Sequence, residues 1–395
     1  MTEPTSPAAA SNRRIWNDPR VRALVFQAVA LAAVIWFGWS LFSNTLSNMD
    51  SRGISTGFGF LDQPAGFGIV MSLLPYDETM SYGRTFWVGL LNTLLVSGLG
   101  IVLATILGFV IGIARLSSNW LVAKIALAYI EVVRNIPLLL QIFFWYFAVL
   151  RTVPSPRESL SLGDLFFLNN RGLYMPRADF LDGAGWLFAA VVVAVLLVFA
   201  LRFWAGRRQD RTGRRFPVLR ASLALLILIP GAACIALGVP VGWELPALKG
   251  FNFRGGIVVI PELAALLAAL TIYTAAFIAE TVRSGILAVS HGQTEAAQAL
   301  GLRRGVILRR VVIPQAMRVI VPPLTSQYLN LTKNSSLATA IGYPDLVAVF
   351  MGTTLNQTGQ AVEIVAMTMA VYLVISLVIS LVMNIYNRAV ALEER

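Results

Sequence analysis

Two groups of residues in this sequence have types and spacings that could do chemistry, and both suit gripping and holding more than bond breaking. The first is Glu295-Ala296-Ala297-Gln298-Ala299-Leu300-Gly301, followed by Val311-Val312-Ile313-Pro314. Small side chains at 296, 297 and 299 let another surface approach closely, and Gly301 permits a tight turn between two short helices. Pro314 and the pair Pro322-Pro323 are expected to limit how far the second helix continues. Arg303, Arg304, Arg309 and Arg310 offer cations to acidic groups on a partner. A solvated loop whose arginines touch lipid headgroups would have the same composition. The second group is polar residues set within apolar runs. Glu131 and Arg134 stand three apart, as do Glu280 and Arg283, so each pair can meet on one helical face. Ionisable residues inside membrane spans are costly and default to functional hypotheses, though such pairs also serve as structural clips near a membrane surface.

These residues need a membrane-embedded frame. Of 395 residues, 57% are hydrophobic and only 13% charged, with a net charge of +11. Soluble domains carry roughly 25% charge, so the chain reads as an all-α polytopic membrane protein. The positive charge does not call for nucleic acid. It is nearly all arginine, gathered in a few loops between long apolar runs, as cytoplasmic loops are. The lone Cys234 lies in an apolar run and is expected to be a buried structural thiol, with no intrachain disulfide possible. His291, the only histidine, has no partner at metal-ligand spacing.

About eight spans are legible. Arg13, Arg14, Arg20 and Arg22 precede an apolar run at 23–43, which reads as a first membrane helix and not a cleaved signal. Further spans fall at about 86–114, 120–150, 183–205, 218–240, 257–285, 318–343 and 363–387. The segment 120–150 invites a break at Pro137. Arginines concentrate at 1–22, 202–220 (including Arg214 and Arg215) and the 283–318 loop, and with the turn near Arg115 to Lys124 and the tail 389–395 also assigned inside, both ends are expected inside. Loops 44–85 and 151–182 then face outward, the first with a short helix around Gly68–Leu74. The segment 151–255, with its two plain spans, is separable from core parts 86–150 and 256–388.

At this level the chain resembles the polar amino acid permeases of bacterial ABC importers. Glu-Ala-Ala, Gly301 and the Val-x-Ile-Pro ending at Pro314 match their signature loop. The run Thr271–Leu302, the segment Tyr129–Gln141, the block Lys333-Asn334-Ser335-Ser336-Leu337 and Asn92-Thr93 match in order. The long form is similar to permeases of general L-amino-acid or glutamate/glutamine/aspartate/asparagine importers. The resemblance implies a five-helix importer core with an added first helix and a two-helix insertion. Loop 286–318 becomes a coupling loop seated on a cytoplasmic ATPase through Glu295, Ala296, Ala297, Gly301, Arg303 and Pro314. It also implies a second permease, two ATPase subunits that bind ATP and Mg, and a periplasmic amino-acid-binding protein, in a bacterial inner membrane. The chain itself has no Gly-x-x-x-x-Gly-Lys-[Ser/Thr] loop and no Gly-Lys dipeptide, so it is expected to need no cofactor and to hydrolyse no ATP. Arg134, Gln141, Glu280, Gln327, Asn330 and Lys333 are expected to face a central pathway, where a zwitterion needs a cation and acceptors. Two rivals remain at this stage, an ion-coupled secondary transporter and a non-transporting sensor or scaffold. The first would show related halves with broken helices, and no such symmetry is visible.

Overall fold

The computed structural model describes residues 19–51, 56–180, 184–213, 216–238 and 241–390. Arg13, Arg14, Arg52, Arg214, Arg215 and residues 391–395 lie outside them. The long helices are α1 (Pro19–Ser51), α2 (Tyr82–Arg115), α5 (Ala184–Thr212), α6 (Val218–Ala236), α7 (Pro261–Leu287) and α12 (Ala361–Val390). Among the described residues these six are long and apolar enough to cross a membrane. A shorter pair, α3 (Trp120–Asn135) and α4 (Leu138–Phe143), turns by 106° at the break before Pro137 and makes a seventh if taken as one span. The Asn119 side chain starts α3 by accepting from Leu121 N and Val122 N at 3.0 and 3.3 Å. Ile136, in extended backbone ahead of Pro137, ends it.

The expected total of about eight exceeds this by one, and the difference lies at 318–343. There the chain forms α10 (Ile313–Asn334), followed by a tight 3-10 segment, Ser335–Ile341. Arg318, Gln327, Asn330 and Lys333 make α10 too polar to qualify on composition, yet it packs on α7 and α12 in the core. The prolines do not end this helix, contrary to expectation. Pro314 occupies its first turn, where the missing N–H has no intrahelical partner anyway, and Pro322 and Pro323 sit exposed within it.

α7 is the axis of the molecule. Over half (56%) of its apolar window is buried, against 28% for α2 and less for the other spans. Leu266, Leu270, Ile278 and Val282 of α7 join Val96 and Ala104 of α2 and Ile320, Val321, Leu324 and Leu331 of α10 in one core. Small residues close the α2–α7 seam: a Cβ at Gly112 would lie 2.7 Å from Ala279 O, and one at Gly108 2.6 Å from Ile278 Cβ. By contrast, nothing in the apolar window of α1 is buried, and Trp36 is 69% exposed.

The outer segments hold surprises. The short helix expected at Gly68–Leu74 is absent, and a single 3-10 turn stands instead at Gly59–Asp62. Residues 56–81 are no free loop. Phe60 and Ala65 are buried with Tyr82, Leu346, Phe350 and Ile364, and Gly57 N donates to Glu363 Oε1 at 2.7 Å. The insertion carries short strands that periodicity did not reveal. These are β1 (Leu160–Leu162), β2 (Phe166–Asn169), β3 (Gly172–Met175), β4 (Arg177–Phe180), β5 (Val241–Glu244), β6 (Ala247–Lys249), β7 (Asn252–Arg254) and β8 (Ile257–Val259). One sheet runs β1-β2-β3-β8, all antiparallel, so the start and end of the insertion pair directly, Met175 with Ile257. β4 pairs with β5 above the α5–α6 hairpin, whose helices pack chiefly on each other. Cys234 in α6 is only half-buried, because most of that helix faces outward.

Candidate functional site

The signature loop folds as a helical hook. α7 ends at Leu287, and Ser290 leads into α8 (His291–Ala299). Gly301 follows with φ +71°, while its N–H donates to Gln298 O at 2.8 Å and that of Leu302 to Ala297 O at 3.3 Å. Those two bonds and the left-handed residue form a Schellman stop, which explains why glycine is needed there. α9 (Arg304–Ile307) starts from Arg303, whose carbonyl accepts from Val306 N and Ile307 N, and a wide π turn at Leu308–Val312 carries the chain into α10. Ala297 and Ile307 are buried at 5% and 3% exposure and anchor the hook from within. Glu295, Ala296, Arg303, Arg304, Arg309, Arg310 and Pro314 are exposed. So is Leu300 at the tip, at 78%, with Val306 and Leu308 close to half exposed. Among the described residues Glu295 reaches His291, 3.6 Å away, a contact that counts as an ion pair when the imidazole is protonated.

The expected pathway residues divide into three places. Arg283 grips Glu280 through two bonds of 2.6 and 2.9 Å, and Arg134 of α3 lies over the Phe277 ring at 5.0 Å, so α3 and α7 do bring these charges together. Glu131 and Arg134 form no ion pair among the described residues. Glu131 is exposed, and its backbone carbonyl accepts from Asn135 Nδ2. Gln141 is buried, with its amide nitrogen engaged twice. Its Nε2 donates to Val133 O and Ile136 O, both at 3.0 Å, satisfying carbonyls freed where α3 breaks. Lys333 lines a separate cavity of about 500 Å³ with Ser336, Met351, Thr368 and Tyr372, and Asn330 and Gln327 lie about one and two turns earlier on α10 without joining it. A single central set is therefore not formed within one chain.

The other residues of the quoted motifs are fasteners. Asn92 Nδ2 donates to Met71 O and Pro344 O, both at 2.9 Å, and Tyr343 Oη donates to Asn92 O at 3.0 Å. Thr93 Oγ1 accepts from Leu346 N at 3.0 Å. Tyr129 Oη donates to Ile272 O at 2.7 Å, pinning α3 to α7. Reading from sequence missed Asp345, which is fully buried and accepts from Ala348 N at 2.9 Å and from Tyr372 Oη at 3.4 Å. An acid between a proline and an apolar run was the available signal.

Residues 203–392 match the family described as the binding-protein-dependent transport system inner membrane component. The chain is also 58% identical to YhdX of Escherichia coli (strain K12), provisionally named an amino-acid ABC transporter permease protein, over 96% of both chains. This chain belongs to the amino-acid ABC transporter permeases. AapQ of Rhizobium johnstonii, a general L-amino acid transport system permease protein, is 48% identical over 100% of this chain and 98% of its own. BztB of Rhodobacter capsulatus, a glutamate/glutamine/aspartate/asparagine transport system permease protein, is 42% identical over 96% of each. These relatives are permease subunits and not enzymes, and this permease is a multi-pass membrane protein.

Proposed function

We propose that this permease imports polar L-amino acids through the bacterial inner membrane by alternating access, driven by a separate ATPase that grips the hook at 295–314. The exposed tip carries the proposal. Leu300, Val306 and Leu308 present apolar surface on a polar loop, flanked by Arg303, Arg304, Arg309 and Arg310, and an apolar patch rimmed by charge marks a protein contact. A rigid hook, clamped by the Schellman bonds and joined directly to α7 and α10, passes force to the two helices at the centre of the core. ATP and Mg belong to the ATPase pair, and the permease chain needs no cofactor of its own. A second, similar permease completes the pathway, which accords with Lys333 lying in a cavity apart from Arg134 and Glu280 within one subunit. A periplasmic amino-acid-binding protein delivers substrate to the outer face, with both termini inside. General L-amino-acid and glutamate-family relatives support the substrate class.

Leu300→Glu tests the coupling. Leu300 is 78% exposed, so the permease should fold normally while ATPase co-purification and ATP-driven uptake both fall at least tenfold. Full uptake with the ATPase still bound would refute the role of the hook.

A further inference from the structure

A cavity of about 580 Å³ has no part in the reading above. It opens between the insertion and the outer end of the core. Tyr146 and Glu262 come from the core side, Arg151 stands at the junction, and Asn170, Arg171, Tyr174 and Asn252 come from the insertion. We propose that it is a receiving site for a free amino acid, with Arg151 and Arg171 holding the carboxylate and Glu262 the ammonium. The inference rests on the import reading and adds a station ahead of the translocation pathway.

Three observations support it. First, the charges have no ion-pair partner among the described residues. Among the described residues neither arginine has a carboxylate within ion-pair distance, whereas Arg177 on the same insertion pairs with Glu244 at 2.8 Å. Glu262 Oε1 accepts from Tyr146 Oη at 2.8 Å, and Oε2 accepts nothing among the described residues. Second, both signs are present in one concavity. A ligand bearing only a carboxylate, such as an acidic side chain of a docking protein, would meet Glu262 unfavourably, while a zwitterion satisfies both ends. The volume falls within the roughly 300–1,000 Å³ typical of small-molecule sites. Third, the walls are fixed. Tyr174 is buried and donates to Asn252 Oδ1 at 3.0 Å, which leaves the Asn252 amide nitrogen available. A π turn at Phe144–Val149 presents Tyr146, over whose ring Arg151 lies at 5.6 Å. Single π turns recur at functional sites because the extra residue re-aims a side chain.

The test uses the whole importer in nanodiscs without binding protein, titrated with tritiated L-glutamine. Saturable binding is expected, weakened about tenfold by Arg151→Gln with Arg171→Gln and by Glu262→Gln, the scale of one lost charged contact. Arg151→Lys should recover part of it. Arg157→Gln, whose guanidinium lies over Phe251 at 4.8 Å and outside the cavity, should leave binding unchanged. Deaminated and decarboxylated glutamine analogues should each compete poorly. ATPase co-purification checks that every variant is assembled. Absence of saturable binding, or variants that bind as the parent does, would overturn the site, as would weakened binding-protein docking with unchanged L-glutamine binding. Loss of ATP-driven uptake in the parent complex itself would instead overturn the import reading.

Discussion

Asn92 shows how much one side chain can hold. Its amide fastens α2 to both Met71 and Pro344, and its own backbone carbonyl takes the Tyr343 hydroxyl. Asn92→Leu keeps the bulk and orphans a buried carbonyl at Pro344, at about 1–3 kcal/mol, and a part-buried one at Met71. The permease should lose several degrees of thermal stability in detergent, read by fluorescence-detected size exclusion, and an unchanged melting point would contradict the assignment. Gly301 differs in kind. No atom lies within 4 Å of a Cβ built there, so only the left-handed backbone resists substitution. Gly301→Val should strain the turn by about 1–3 kcal/mol, confined to the hook, and reduce ATPase retention far more than melting temperature. A variant that retains its ATPase at the parental level would show that the turn geometry is dispensable. The sequence pointed to both residues through motif spacing. It could not tell a fastener from a ligand, because Gln141 and Lys333 look equally polar on paper while one caps a break and the other lines a cavity.

Helices were easier to read than their meetings. Long apolar runs located α1, α2, α5, α6, α7 and α12, and Pro137 correctly marked the bend after α3, since the residue before proline avoids helical backbone. The prolines of α10 misled for the opposite reason, being placed in a first turn and on an exposed face where they cost little. The insertion strands escaped notice because three or four residues are too few for a period of two to stand out. Seam chemistry also stayed hidden until the helices were placed together. Gly108 and Gly112 let α2 approach α7 closely, so Gly112→Val would press against Ala279 O and Val282. Overpacking of this sort costs about 1–3 kcal/mol, and the outcome to look for is reduced assembly with the hook intact. Normal yield and melting behaviour would mean that the seam relaxes freely.

At the scale of the whole molecule, a buried trio of α2, α7 and α10 carries attachments of different standing. Residues 56–81 are cemented to the core by Phe60 and Ala65, whereas α1 exposes its entire apolar surface and α5–α6 stand chiefly on each other. Replacing residues 181–240 by an Asn-Gly turn should therefore leave an assembled permease with near-parental uptake, checked in proteoliposomes. Failure to assemble would make the helix pair integral to the core. The reason for confidence in that surgery is the ladder above the pair, where Phe180 and Val241 are register partners. Strand neighbours sit about 4.7–4.9 Å apart, so the chain leaves and re-enters at nearly one point. Length gained or lost there displaces nothing downstream, which makes this junction a natural splice port where lineages can trade membrane anchors and engineers can seat a reporter.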